Sequence, residues 1–180
     1  MKFLYALIFL TACNSSIAQN DFPIYHWEEL PVHFEADTIY ALTFSKMKLS
    51  EVPKELEQFK NLRHLDFSKN RLSELPDFIG DLEFLSYLNI EKNRFEKMPF
   101  VLCQLKKLEF LSMNRNLLIT LPACIEFMFG LAYIDLYDNP IRSFPDSFER
   151  MRNLKKIDLR GIRFGPSFQE KWSSRLPNTE

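Results

Sequence analysis

Carboxylates, imidazoles and thiols are the side chains that could carry catalysis or bind a metal. Asp66, Asp135 and Asp158 are separated by whole multiples of 23 residues, which would place them in one row of a regular structure. Two carboxylates a few ångströms apart in a cleft can hydrolyse a glycosidic bond. The three histidines stand at no metal-binding spacing, and no H-E-x-x-H, C-x-x-C, G-x-S-x-G or glycine-rich phosphate motif occurs. We therefore expect no enzymatic activity and no cofactor.

Two cysteines, Cys103 and Cys124, lie 21 residues apart in the second half of the chain. Their spacing differs by two from the 23-residue interval, so their side chains are not expected to be aligned. We therefore predict two free thiols, which behave as small, partly buried hydrophobic groups. A disulfide is the alternative if the protein is exported, because disulfides form in oxidising surroundings.

Length and composition indicate one globular domain. The chain has 180 residues, of which 46% are apolar and 26% are charged, and its 18 phenylalanines need a core that buries them. This composition excludes a disordered chain and a polytopic membrane protein. The net charge of -1 argues against a general nucleic-acid binder, which would be basic.

The amino terminus has the pattern of an export signal. A lysine is followed by an apolar run over residues 3–10 and then by small polar residues. Cleavage after Ala18 would remove residues 1–18. Alternatively, Leu10-Thr11-Ala12-Cys13 resembles a bacterial lipobox, in which case residues 1–12 are removed and Cys13 carries a lipid. We expect an exported protein that is secreted, periplasmic or lipid-anchored at the cell envelope.

A repeat of 23 residues organises the rest of the chain. Prolines and asparagines recur at this interval, at Pro53, Pro76, Pro99, Pro122 and Pro145 and at Asn70, Asn93, Asn116 and Asn139. In that register the units begin at Ile39, Leu62, Leu85, Leu108, Leu131 and Leu154. The second unit carries Leu62, Leu65, Phe67, Asn70, Leu72, Leu75, Pro76, Ile79 and Leu82. This pattern, L-x-x-L-x-L-x-x-N-x-L-x-x-L-P-x-x-I-x-x-L, resembles the leucine-rich repeat family over residues 39–159.

The residue pattern within a unit also predicts its local structure. Apolar and polar residues alternate over residues 64–68, as in a half-buried strand. The proline that follows excludes a regular strand ladder at its position. One unit has too few apolar side chains to offset the ordering of its own backbone, so stacked units must share a core.

The repeated asparagine predicts a ladder of buried amides. Such an amide can satisfy backbone groups where the chain leaves each strand. We expect this ladder to run through Asn70, Asn93, Asn116 and Asn139. Met47 and Ile162 replace the asparagine in the first and last units, so the ladder should end there.

The resemblance implies an α/β solenoid, a right-handed leucine-rich-repeat coil. One curved parallel sheet would form the concave face, and turns, 3₁₀ or short helices would form the convex face. The repeats occupy residues 39–161, and we predict caps over residues 19–38 and 162–180. The second cap has apolar residues four apart, which indicates an amphipathic helix, at Phe164, Phe168, Trp172 and Leu176. The alternative is that Trp27 or Trp172 contacts a ligand.

One row of the sheet would expose aromatic rings on the concave face. This aromatic stripe consists of His64, Tyr87, Phe110 and Tyr133, from four consecutive units. Polar residues of the next two rows flank it, among them Asp66, Asn89, Asp135 and Tyr137. Aromatic residues with polar neighbours are typical of protein-binding surfaces. The alternative is that the rings only stabilise neighbouring strands.

Cations gather along one edge of the predicted sheet. This basic rim consists of Lys46, Lys69, Arg71, Lys92, Arg94 and Arg115, with Lys48 beside the first. It could attract an acidic partner or a phosphorylated sugar. The alternative is a solvated edge whose charge is neutralised by glutamates that follow in the sequence.

We predict from these features a scaffold that recognises another protein without catalysis. The resemblance implies that the concave face contacts the partner. The alternatives are a carbohydrate-binding module that uses the same rings, and an adhesive lipoprotein anchored through Cys13. We expect a monomer that binds no nucleic acid and meets the membrane only through such an anchor.

Overall fold

The computed structural model describes residues 22–30, 33–172, 176 and 178–179. The predicted export signal, including Cys13, lies outside the described residues.

Among these residues, eight strands form one parallel sheet in which the spatial order follows the chain order. They are β1 Tyr25–His26, β2 Ala41–Thr43, β3 His64–Asp66, β4 Tyr87–Asn89, β5 Phe110–Ser112, β6 Tyr133–Asp135, β7 Lys156–Asp158 and β8 Asn178–Thr179. From β2 to β7 each strand residue opposes the equivalent residue of the next unit, so that Leu65 opposes Leu88 and Leu88 opposes Leu111. The predicted solenoid with one parallel sheet is therefore confirmed.

Short 3₁₀ turns on the convex face follow the repeated prolines. These turns span Lys54–Gln58, Asp77–Asp81, Phe100–Gln104, Ala123–Phe127 and Asp146–Arg150. In each, the proline carbonyl accepts a hydrogen bond from the residue three positions later, as Pro53 does from the Leu56 N–H at 3.1 Å. A proline is suited to the residue before the turn because it has no N–H that needs a partner there.

The core lies between the sheet and the 3₁₀ turns. Leu65, Leu88 and Leu111 point inward from consecutive strands and are fully buried, while their strand neighbours on both sides are mostly half-buried. Turn residues such as Leu56 and Ile79 close the core from the convex side and are fully buried too. Every unit therefore contributes to one continuous interior.

Both ends of the stack are covered by residues outside the repeat. At the first end, 3₁₀ turns Trp27–Glu29 and Ala36–Thr38 follow β1, and the Trp27 ring stacks on Phe44 at 5.0 Å between centroids. At the other end, helix α1 spans Pro166–Trp172, and the Trp172 ring meets the edge of Phe144 at 5.8 Å. Both tryptophans therefore pack on the core.

The second end differs in detail from its prediction. Phe164 precedes α1, yet its ring still stacks on Phe168 with centroids 3.5 Å apart. Strand β8 adds a backbone partner for β7 that no repeat pattern indicated. Within the described ranges, no helix is long and apolar enough to cross a membrane.

Candidate functional site

The four repeated asparagines hold the strand ends in place. Each is buried, with an exposed fraction between 4% and 8%. The Asn93 amide nitrogen donates to the carbonyl oxygens of Phe67 at 2.9 Å and Ile90 at 3.1 Å, and its oxygen accepts from the Leu72 N–H at 3.0 Å. Asn70, Asn116 and Asn139 make the equivalent bonds in their units. The concave face is therefore fixed by buried side chains below it.

Three rings of the aromatic stripe stack face to face on the concave side. The centroids of His64 and Tyr87 are 4.1 Å apart and those of Tyr87 and Phe110 are 4.6 Å apart, with the ring planes within 4° of parallel. Tyr133 follows opposite Phe110 in β6. All four side chains belong to half-buried residues. The stripe therefore presents ring edges rather than ring faces along most of its length.

His64 is uncharged within this stack at neutral pH. Burial lowers the pKa of His64 from 6.5 to about 4, because the surroundings solvate the imidazolium poorly. The stripe consequently presents an uncharged surface at its His64 end.

The polar row beside the stripe closes a turn at the end of β2, β3, β4, β6 and β7. The Asp66 carboxylate accepts a hydrogen bond from the Ser68 N–H at 2.7 Å, two residues ahead. Asn89, Asp135 and Asp158 do the same for the residues two positions ahead, at 3.0 Å each, and Thr43 uses its hydroxyl oxygen. This repeated turn explains why short side chains with an oxygen acceptor occupy the row.

The carboxylates of this row are not arranged as an independent catalytic pair. Three strand steps separate Asp66 from Asp135, a distance of about 14 Å. Asp135 does oppose Asp158 in the neighbouring strand, but Asp158 pairs with the Arg160 guanidinium at 2.5 Å. Asp135 itself accepts from the Asn114 amide at 2.6 Å. The row therefore works as an internal hydrogen-bond network.

Burial is the main influence on the pKa of these carboxyl groups. It raises the pKa of both Asp66 and Asp135, and hydrogen bonds from Ser68 and Tyr137 only partly oppose it. Burial acts in the same direction on Asp158, but the hydrogen bonds and charge of Arg160 outweigh it, so the pKa of Asp158 lies below its usual value.

Tyr137 extends the concave surface towards the last units. Its ring lies between two guanidinium groups, with Arg115 at 5.3 Å and Arg160 at 5.8 Å from the centroid. Cations over an aromatic face are held by the ring quadrupole. The phenol of Tyr137 is therefore positioned by two cations, whereas the rings of His64, Tyr87 and Phe110 are positioned by one another.

Four of the six residues of the basic rim occupy backbone positions with positive φ. Residues at one repeat position adopt this left-handed conformation in every unit, namely Lys46, Lys69, Lys92, Arg115, Asp138 and Gly161. Lys48 also has positive φ, whereas Arg71 and Arg94 do not. Two rim cations have acidic neighbours at 3.8 Å, where Lys69 meets Glu91 and Arg115 meets Asp138. The sequence signalled the charge of this rim but not its backbone conformation.

The prediction of free thiols at Cys103 and Cys124 is wrong, because the two residues form a disulfide with their Cα atoms 5.9 Å apart. They lie in consecutive 3₁₀ turns, Phe100–Gln104 and Ala123–Phe127. A 3₁₀ turn advances only about 2 Å per residue, so a two-residue offset between stacked turns still leaves the side chains within reach.

The convex face carries apolar residues that the sequence reading did not single out. Phe100 is 73% exposed and Phe129 is 59% exposed. Lys106 lies near Phe129, with its nitrogen 5.4 Å from the ring centroid. Their positions are polar or charged in most other units, and that comparison between units could have revealed them. No cluster of three or more histidine, cysteine or acidic side chains suited to a metal occurs among the described residues.

Comparison with known proteins agrees with this architecture. The model of a leucine-rich repeat region matches residues 37–178. A solved leucine-rich repeat protein of Leptospira interrogans aligns with a TM-score of 0.60 and 24% identity, covering 80% of this chain and 43% of the other. The present chain thus spans less than half of that protein's length, and the likeness supports the fold alone. No curated protein matches the sequence. With its family match and its stacked 23-residue units, the chain belongs to the leucine-rich repeat family.

Proposed function

We propose that this protein is a non-catalytic scaffold that binds a partner protein at the aromatic stripe on its concave face. Leucine-rich repeat folds generally serve as protein-interaction scaffolds rather than as enzymes. The observation that carries the proposal is the stack of His64, Tyr87 and Phe110 on the solvent side of the sheet, in which the centroids of neighbouring rings lie within 4.6 Å.

The stack favours binding because its rings are already ordered. Fixing mobile side chains is one of the main costs of forming an interface, and rings held by their neighbours avoid much of it. Aromatic side chains also dominate the binding energy of protein interfaces. The stripe combines apolar ring edges with the hydroxyl groups of Tyr87 and Tyr133, which can hydrogen-bond to a partner.

The carbohydrate-binding alternative has less support from this geometry. Sugars stack on open aromatic faces, but both faces of Tyr87 are covered, one by His64 and the other by Phe110. A partner protein can use ring edges and hydroxyl groups instead. Side-chain oxygens of the flanking polar row already accept hydrogen bonds within their own turns, which leaves few free acceptors for sugar hydroxyls.

Replacing Tyr87, Phe110 and Tyr133 by alanine tests the proposal. We expect the triple variant to lose partners that the wild-type protein recovers from the native cell envelope after cross-linking. Phe100→Ala is the matched control, because it removes a ring that is 73% exposed on the convex face. Circular dichroism should show that both variants are folded. Equal recovery by the folded triple variant would reject the stripe, and selective binding to a glycan array would favour the carbohydrate alternative.

We also propose that the protein is exported. The Cys103–Cys124 disulfide supports this, since disulfides persist mainly in oxidising compartments. The amino-terminal sequence leaves two forms open, a secreted or periplasmic protein and a surface lipoprotein with an adhesive role. Metabolic labelling with a fatty acid separates them, because only the lipoprotein would be labelled, and Cys13→Ser would abolish the label.

A further inference from the structure

A shallow groove of about 660 Å³ lies on the edge of the last three units, beyond the ladder asparagines. Its polar walls are Arg115, Arg142, Arg163 and Asp138, and its apolar walls include Leu117 and Pro140. We name it the rim groove. It is separate from the aromatic stripe, because its residues follow the strands instead of forming the sheet.

The rim groove has an excess of positive charge. Three arginines face one aspartate, and the only ion pair among these four joins Arg115 to Asp138 at 3.8 Å within the described chain. Arg142 and Arg163 are exposed and form no ion pair in that part of the chain. A guanidinium presents a planar set of donors that matches a carboxylate in a two-point hydrogen bond. The groove is therefore complementary to a ligand with two negative groups.

Apolar residues replace charged ones at two repeat positions beside this groove. The position of Leu117 is occupied by Arg71 and Arg94 in the two preceding units, and the position of Ile119 is occupied by Glu96 in the unit before it. Leu117 is 48% exposed and Ile119 is 49% exposed. The Ile119 carbonyl accepts the Arg142 N–H at 2.9 Å, which places the exposed apolar edge beside a groove arginine. Apolar contact is therefore available next to the uncompensated charge.

The dimensions of the groove favour an extended peptide. Three stacked units cover two strand spacings, about 10 Å. An extended chain spans this length with about three residues. Leu117, Arg142 and Arg163 belong to three successive units in this order, so a segment in which two acidic residues follow an apolar one could meet all three side chains at once.

We propose that the rim groove binds an acidic, extended segment of a partner protein. Its carboxylates pair with Arg142 and Arg163, and its apolar side chain packs on Leu117. This interaction does not depend on the aromatic stripe, and the two surfaces lie on different sides of the ladder asparagines.

Fluorescein-labelled Leu-Glu-Glu-Leu-Glu-Glu is a suitable probe, measured by fluorescence anisotropy with the full chain. We expect binding that weakens with salt and is lost with Leu-Gln-Gln-Leu-Gln-Gln. Arg142→Gln with Arg163→Gln should weaken binding by about 10-fold or more, as expected for lost charge-assisted hydrogen bonds. Leu117→Ser should weaken it by about 3- to 10-fold, the effect of exposing an apolar contact.

Matched controls distinguish this site from general attraction to the basic rim. Arg71→Gln with Arg94→Gln removes the same charge outside the groove and should change affinity by less than about 2-fold. Tyr87→Ala should leave peptide binding unchanged, so failure of the stripe and failure of the groove are separable. The proposal is overturned if the wild-type protein does not prefer the glutamate peptide. Equal losses in the two arginine double variants, or displacement of the peptide by an equal concentration of inorganic phosphate, would overturn it as well.

Discussion

Asn93 and Asn116 share one acceptor, the carbonyl oxygen of Ile90, to which their side-chain nitrogens donate at 3.1 Å and 3.0 Å. The Met113 carbonyl is shared in the same way by Asn116 and Asn139, at 2.9 Å and 3.0 Å. Each interior asparagine thus joins the strand end of its own unit to that of the unit before. The ladder is therefore a continuous connection between units as well as a local cap.

Asn116→Ala should lower the free energy of unfolding by about 2–4 kcal/mol, because it leaves buried backbone groups without partners. The main loss is the acceptor of the Phe95 N–H, at 3.1 Å in the wild-type protein. Asn153→Ala is the matched control, since the exposed Asn153 also donates to a backbone carbonyl, that of Phe129. It should cost less than about 1 kcal/mol. Urea denaturation followed by tryptophan fluorescence measures both, and similar losses would contradict the role of the ladder.

The Cys103–Cys124 disulfide should stabilise the stack by roughly 3 kcal/mol, because it restricts the unfolded chain over a loop with a sequence separation of 21. Adding a reducing agent should therefore lower the urea midpoint of the wild-type protein. The Cys103→Ala, Cys124→Ala double variant should start at the lower midpoint and not respond. Mass spectrometry after alkylation of the native protein gives an independent check, and modification of both residues before reduction would contradict the pairing.

His64 should make folding sensitive to mild acid. Burial lowers its pKa from 6.5 to about 4, so the folded state favours the neutral imidazole more than the unfolded state does. Its contribution is fully present above pH 6.5 and is lost as the pH falls through about 4. For this half-buried ring we expect a loss on the order of 2 kcal/mol.

His64→Tyr is the appropriate reference for this prediction, because tyrosine already occupies the equivalent position of the next unit, at Tyr87. The variant keeps a ring in the stack without an imidazole. Asp66 and Asp135, whose pKa values are raised by partial burial, act in the opposite direction in both proteins. The informative quantity is therefore the difference in unfolding free energy between wild type and variant at each pH. A difference that does not change between neutral pH and pH values near 4 would show that His64 titrates normally.

Most of the fold could be predicted from the sequence because the chain is built from repeats. Because Leu65, Leu88 and Leu111 recur at one interval and must share an interior, the strand register and the convex turns follow from periodicity. The ends could not be derived in this way. Strand β8 has no counterpart in the repeat, and α1 begins only after Phe164, since packing against the last unit decides both.

The candidate surfaces were only partly predictable for a similar reason. Which residues share a row follows from the period, so Tyr87 and Phe110 could be placed side by side. Asp66 and Asn89 each use a side-chain oxygen to accept a hydrogen bond within their own turn. These bonds depend on backbone geometry, which the alternation of polar and apolar residues does not predict. The disulfide does not follow from the repeat, because alignment by the period ignores how tightly a 3₁₀ turn winds.

Lys92→Gly should stabilise the fold by about 0.5–1 kcal/mol. Lys92 has a φ of 51°, a backbone conformation that is strained for residues other than glycine. The last unit already has Gly161 at this position, with a φ of 78°. Lys97→Gly is the matched control, since Lys97 is exposed and is not among the residues with positive φ, so flexibility alone should make it neutral or slightly destabilising. Urea denaturation of both variants decides the matter. If Lys92→Gly destabilises as much as Lys97→Gly does, the left-handed conformation of Lys92 carries no strain that glycine can relieve.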